Sequence, residues 1–224
     1  DDHAEPIQGN LLLTHLFGAD VRLTESPEER DQIIEELKAE GHRVYNTSSD
    51  GYYLRSVAYV DGFVELWEQL QARGVTPDGI YTCSGVHTHT GLVVGAKAMG
   101  IDVRIVGVSP SPHDNDAKAA QLAEVGNEVA RLLDLDIEFT ASDIEVHGEY
   151  AGENYGAETA SANEAVTLCA TQEGLLLDPV YSGKAFSGMI DHIQRGEWKQ
   201  GQNVIFVHTG GTPALFAYQT GVKT

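Results

Sequence analysis

Tyr81-Thr-Cys-Ser-Gly-Val-His-Thr-His-Thr-Gly-Leu-Val-Val-Gly95 decides how this chain is read. Its first residues continue the apolar run from Gly79 and Ile80, and they read as the end of a buried strand. A small-residue turn carrying hydroxyls and imidazoles follows, and then an apolar helix begins. A strand feeding a helix through such a turn presents free backbone N–H groups and the positive end of the helix dipole. The stretch is therefore a candidate anion site, with phosphate as the first expectation. Taken alone the motif is weak, because strand–Gly–helix turns recur throughout α/β proteins.

Working outward, helices and strands alternate on both sides. A helix over about 57–73 leads into the strand 79–83. Beyond the turn, a helix is expected over 90–99 and a strand over 103–108. A helix capped by Asp114 ends near 133. A loop-rich stretch covers 140–159, and another helix about 162–172. The run Leu175-Leu-Leu177 suggests a short strand before Asp178-Pro179. A helix over 183–195 and a last strand over 203–208 lead into Thr209-Gly-Gly-Thr-Pro213. The strands are unbroken apolar runs, the pattern of a parallel sheet covered by helices on both faces. Ligands of such sheets gather at the carboxyl ends of the strands. The segments 79–91, 178–183 and 208–213 all fall there.

The first part of the chain is smaller in scale. A short helix over 10–18 precedes an expected strand at 20–23. Ser26-Pro-Glu-Glu29 then has an N-cap residue, a proline at the first helical position and acids in the first turn. Its helix runs to about Ala39, and 42–45 is expected to be a strand. The polar loop 46–51 is the expected hinge. The division is thus 1–51, the remainder of a small α/β domain, and 52–224, a larger ligand-binding α/β domain.

The formal net charge is −20, from 34 acidic and 14 basic residues. That balance repels nucleic-acid backbones and anionic membranes, so neither is an expected partner. No run approaches the roughly 18 apolar residues of a membrane span. Cys83 and Cys169 are the two cysteines, each beside apolar residues, which suits free thiols in a reducing cytoplasm. His87 and His89 have a spacing that two metal ligands can share, but no acid or cysteine stands at a supporting distance. No metal is expected. The chain opens at Asp1 without an initiator Met, as a processed or truncated piece does.

Two further stretches carry a resemblance. Leu175-Leu-Leu-Asp-Pro-Val-Tyr-Ser-Gly-Lys-Ala185 and Val207-His-Thr-Gly-Gly-Thr-Pro-Ala-Leu-Phe-Ala-Tyr218 resemble the carboxyl-terminal signatures of the D-cysteine desulfhydrase and 1-aminocyclopropane-1-carboxylate deaminase family. Gln8-Gly-Asn-Leu-Leu-Leu13 with Gly18-Ala-Asp-Val-Arg22 is similar to a segment internal to those enzymes. The resemblance covers essentially the whole chain but begins partway into the family's sequence. It implies a tryptophan-synthase-β-like fold (fold type II) with pyridoxal 5'-phosphate as cofactor, a small amino acid as substrate and a homodimer.

On that resemblance, Ser84, Gly85, Val86, His87, Thr88 and His89 form the phosphate-cradling loop. Val86 and His87 stand where family members carry more glycine, and a Cβ makes positive φ costly. Thr209, followed by Gly210, matches the position whose hydroxyl faces the pyridine nitrogen in desulfhydrase-like members. The deaminase has an apolar residue there, and a glutamate where Ser182 follows Tyr181. Ser182 and Gly210 complete the expected cofactor-binding set. Tyr155 and Tyr181 match active-site tyrosines and are the catalytic candidates. The family's Schiff-base lysine belongs to an amino-terminal segment absent from this sequence, and none of the six lysines matches it. A fragment or partner chain is expected to bring that lysine.

The implied reaction is β-elimination from a small amino acid. D-Cysteine, giving pyruvate, ammonia and sulfide, is the lead substrate. Cysteate and 1-aminocyclopropane-1-carboxylate are the alternatives. A non-catalytic binding or regulatory subunit that lacks the lysine is the reading from another class.

Overall fold

The computed structural model describes residues 7–47 and 49–218, and the chain divides into two compact units between Tyr52 and Tyr53. Asp1 to His3, Ser48 of the hinge loop and Lys223 lie outside the described residues.

The first unit contains helices α1 (Gly9–Leu16) and α2 (Pro27–Ala39). Ser26 caps α2 by accepting the Glu29 N–H at 3.1 Å, and the Glu29 carboxylate accepts the Glu25 N–H at 2.8 Å. This reciprocal arrangement satisfies N–H groups that a helix start otherwise leaves open. The strands expected at 20–23 and 42–45 do not form. Both segments lack regular secondary structure, since a strand needs a neighbour to pair its N–H and C=O groups and no strand is present among the described residues of this unit. None of those residues is buried, and Phe17 and Leu23 are 84% and 85% exposed. The described residues of this unit thus form no buried core.

The second unit is a parallel sheet between helices. Its strands are β1 (Gly79–Cys83), β2 (Arg104–Val108), β3 (Glu145–His147) and β4 (Val204–Val207), in the order β3-β2-β1-β4. Gly79 aligns with Arg104 on one side and Val204 on the other, and Val106 aligns with Glu145. The helices are α3 (Leu54–Ala72), α4 (His87–Ala98), α5 (Asn115–Leu132), α6 (Ala160–Glu173), α7 (Ser182–Gln194) and α8 (Thr212–Leu215). Asp114 caps α5 through the Ala117 N–H at 2.8 Å. β3 lies in the stretch expected to be loops, whereas Leu175 to Leu177 is not a strand, and Leu175 and Leu176 are exposed.

The faces of the sheet alternate along each strand. Tyr81, Val106 and Val108 pack with Ala185 of α7 and with Met189. The opposite face meets α4, where Gly107 leaves room for the His89 ring. Ile80, Tyr81, Val106 and Val108 are fully removed from water, each contributing roughly 2 kcal/mol on transfer grounds. At the amino ends of the strands, the Arg104 guanidinium bridges Glu145 at 2.6 Å and Glu197 at 2.7 Å and lies over the Trp198 ring. His147, on β3, is held between Glu149 at 2.9 Å and Glu145 at 3.1 Å.

The chain runs outward from β1 through β2 to β3, then returns to β4 on the other flank of β1. That reversal puts a topological switch point at the carboxyl ends of β1 and β4, where open parallel sheets form the crevice that takes their ligands.

Candidate active site

The segment after β1 is built from below. Ser84 donates its N–H to the Val108 carbonyl at 2.8 Å, and its hydroxyl bonds His89 Nδ1 at 2.9 Å. Gly107 is needed beneath this pair, because a Cβ there would stand 2.3 Å from His89 Nδ1 and 2.7 Å from the Ser84 Cβ. Burial drives the His89 pKa down to about 4, against the upward pull of the Ile105 carbonyl. His89 Nε2 nevertheless makes no hydrogen bond of normal geometry, and neither do the buried hydroxyls of Thr82 and Thr90. The side chains of Ser84 and His89 thus brace the turn from inside the fold, and the Ser84 N–H is already committed.

What remains open is the backbone above them. Helix α4 begins at His87, three residues before the expected start, and no side chain caps it. The first N–H groups of a helix have no acceptor within the helix. Those of His87, Thr88 and His89 therefore face outward, beside Val86 and the exposed Gly85. Helix α3 lies parallel to α4 and starts at the same level. His87 Nδ1 bonds the Ser56 hydroxyl at 2.9 Å. A Cβ on Gly91 would be 2.4 Å from the Ser56 carbonyl oxygen, and one on Gly95 would be 2.7 Å from the Phe63 Cβ. Two positive helix ends therefore converge at the turn. Burial and then the Arg55 charge lower the His87 pKa, so an anion there meets dipoles and N–H groups instead of an imidazolium.

The next wall of the crevice is organised by Asp178, which is fully buried. Its Oδ2 accepts the N–H groups of Val180 at 2.9 Å and Tyr181 at 2.8 Å. Its Oδ1 accepts the Ser182 N–H at 2.9 Å and the Ser182 hydroxyl at 2.7 Å. The same hydroxyl oxygen accepts the Asp178 N–H at 2.8 Å. Asp178 and Ser182 thereby cap α7 together. Ser182, expected among the cofactor-binding residues, is buried and wholly engaged with Asp178. Asp178 was not among the expected site residues, although an aspartate before proline, ahead of a helix, is a recognisable turn signal.

Tyr155 and Tyr181, the two catalytic candidates, are brought together. Their hydroxyls hydrogen-bond each other, and their rings stand edge to face at 5.9 Å. Burial, then Tyr218, Asp178 and Cys83, raise the Tyr155 pKa. Tyr155 is consequently a phenol at neutral pH and a proton donor. On the β4 side, Thr209 is exposed, and Gly210 and Gly211 both take positive φ, of 120° and 97°. The Gly210 N–H bonds His208 Nδ1 at 3.2 Å, and His208 Nε2 faces the Leu176 carbonyl at 3.0 Å. One neutral tautomer satisfies both bonds, which makes His208 a clasp for the turn. Cys83, at the end of β1, has its thiol pushed up to about 12 by burial, so it is inert.

Among the described residues, no group of three or more histidine, cysteine and carboxylate side chains gathers to hold a metal, and no helix is long and apolar enough to cross a membrane. The donors that are present suit a phosphate-bearing ring: open N–H groups at one end, an exposed hydroxyl at the other, and a tyrosine pair on the same edge of the sheet.

Residues 1–210 match the family model described as pyridoxal-phosphate dependent enzyme. The chain is 34% identical over 219 residues to a 1-aminocyclopropane-1-carboxylate deaminase of Methylobacterium sp. (strain 4-46), covering 94% of this chain and 65% of that protein. It is 35% identical over 230 residues to the protein of the same name from Burkholderia multivorans (strain ATCC 17616 / 249), covering 97% and 67%. Among solved structures, an ACC deaminase homologue superposes with a TM-score of 0.83 at 29% identity, over 96% of this chain and 66% of that one. The chain thus spans about two thirds of the length of these relatives.

Proposed function

Because the chain belongs to the family of pyridoxal-phosphate-dependent enzymes, we propose that the crevice outside β1 and β4 serves a lyase acting on a small amino acid. When bound, the cofactor supplies an electron-withdrawing ring that stabilises the charge left on the substrate Cα as its proton departs. The N–H groups of Gly85 through His89, with the Thr88 hydroxyl, take the phosphate in this reading. Thr209 and Gly210 border the ring at its other end. Tyr155 and Tyr181 donate and pass a proton beside the reacting carbon, as phenols do at positions held within hydrogen-bond reach. In this reading none of the six lysines of the sequence bonds the cofactor, and a fragment or partner chain brings the lysine that does.

The reaction we favour is β-elimination from D-cysteine, which with water gives pyruvate, ammonia and hydrogen sulfide. One observation carries this choice. Asp178, the buried carboxylate at this end of the sheet, already accepts four hydrogen bonds of 2.7–2.9 Å. Its accepting capacity is taken up, and the family resemblance sets the hydroxyl of Thr209, an exposed residue here, against the ring nitrogen. A neutral partner there leaves the nitrogen largely unprotonated, which limits how much charge the ring draws off and suits a good leaving group. Ring-opening deamination is the second reading, favoured by the names of the relatives at 34% and 35% identity.

Product analysis of the full-length protein separates the two. Pyruvate and sulfide from D-cysteine are expected, with little 2-oxobutanoate from 1-aminocyclopropane-1-carboxylate. The opposite product pattern would overturn the desulfhydrase reading in favour of the deaminase.

A further inference from the structure

Lys184 is 0% exposed and sits in the first turn of α7. Its Nζ donates to the Ala151 carbonyl at 2.6 Å and to the Pro110 carbonyl at 3.3 Å. No carboxylate among the described residues forms an ion pair with it. A buried ammonium held only by carbonyl dipoles is costly to keep, and burial does lower its pKa, with Cys83 and Asp178 pulling upward. The two carbonyls belong to different loops. Pro110 follows β2, and Ala151 lies in the segment after β3 that carries Tyr155. Tyr181 immediately precedes α7, three residues before Lys184, which is about one helical turn. One side chain thus joins the helix of one tyrosine to the loop of the other.

We propose that Lys184 is the positioning residue of the tyrosine pair: it ties the 109–113 and 148–156 loops to the start of α7, and so sets where Tyr155 stands against Tyr181. The catalytic consequence rests on the function proposed above, whereas the tie itself rests on geometry alone. The competing role is mere filling of core volume. Methionine would fill that volume nearly as well, yet it offers the carbonyls of Pro110 and Ala151 no donor and leaves them unpaired.

The test is hydrogen–deuterium exchange read by mass spectrometry on full-length Lys184→Met and Lys184→Gln proteins, with pyruvate kinetics alongside. In Lys184→Met, amides of 109–113 and 150–156 are expected to exchange about tenfold faster while those of β1 and β2 keep their protection, the pattern of local opening. Over the same change, kcat is expected to fall and the affinity for inorganic phosphate to stay as it was. Loops that exchange at the wild-type rate would overturn the proposal, and so would acceleration spread evenly over the sheet. Should Lys184→Met fail to fold, Lys184→Gln keeps a donor without the charge. It is expected to give the same local pattern in weaker form, and unchanged loops in that variant also overturn the proposal. A wild-type protein that makes no pyruvate would sink the functional reading while leaving the exchange result to stand.

Discussion

Gly211 stands so close to Asp178 that a Cβ on the glycine would lie 2.2 Å from the carboxylate Oδ1. Two segments distant in sequence are locked there: the turn after β4, and the cap of α7. Both border the crevice, so the carboxylate that orders one also fixes the approach of the other.

Gly211→Ala is the direct probe of that contact. The residue has a φ of 97°, where an L side chain costs about 1–2 kcal/mol before any collision. The new methyl group would also displace Asp178 from its four donors. A fall in melting temperature of about 5 °C or more is expected for a chain of this size, together with weaker binding of pyridoxal phosphate by fluorescence titration. A variant that melts and binds like the wild type would show that the turn can slide away from Asp178 freely.

Ser182→Glu tests whether the deaminase residue can simply be transplanted. In the present fold that position points into Asp178, with the serine oxygen both donating to the carboxylate and accepting the Asp178 N–H. A second carboxylate there would face the first in a buried setting, and like charges so placed force one of them to take a proton. Urea denaturation is expected to show a loss of about 3 kcal/mol or more, with no gain of 2-oxobutanoate formation. A stable variant with new ring-opening activity would contradict this geometry.

Two histidines should bend the pH dependence of stability in opposite senses. His89 has a folded pKa of about 4, against about 6.5 in the unfolded chain. As pH falls, the unfolded state binds the proton first, so stability is lost between about 6.5 and 4, by about 3 kcal/mol. His147 is raised by Glu145 and, in part, by Glu149. Its contribution is present below the ordinary histidine value and disappears as pH rises through the raised pKa. Urea melts from about pH 4.5 to 8.5 should therefore show a flatter acid limb in His89→Gln and a flatter alkaline limb in His147→Gln. Parallel profiles in both variants would refute the assignments.

Much of this architecture was legible because it follows from long-range pattern. Unbroken apolar runs between helices announce a parallel sheet, and the turn, Asp178-Pro179 and Thr209-Gly-Gly all point to its carboxyl edge. What escaped the sequence was decided by partners. β3 is three residues with charged or polar ends, Glu145 and His147, and it exists because β2 offers it a ladder. Leu175 to Leu177 has the right composition for a strand but forms no ladder among the described residues. Helix α4 starts at His87 because parallel packing against α3 holds its first turn, where no capping residue marks the place. The inward direction of Ser182 and Lys184 is likewise invisible in a string that matches a motif. A motif names the neighbourhood of a side chain and leaves its direction to the packing.

The parallel seating of α3 and α4 has a mechanical consequence. Helices lying side by side in the same sense bring like dipole ends together, which by itself pushes them apart. Gly91 and Gly95 keep the axes close in spite of that. An anion shared by the two starts would act as a cross-brace, cancelling the repulsion at the end where it is strongest. Occupancy of one small turn would then be felt along the full length of α3, as stiffness in an entire flank of the molecule.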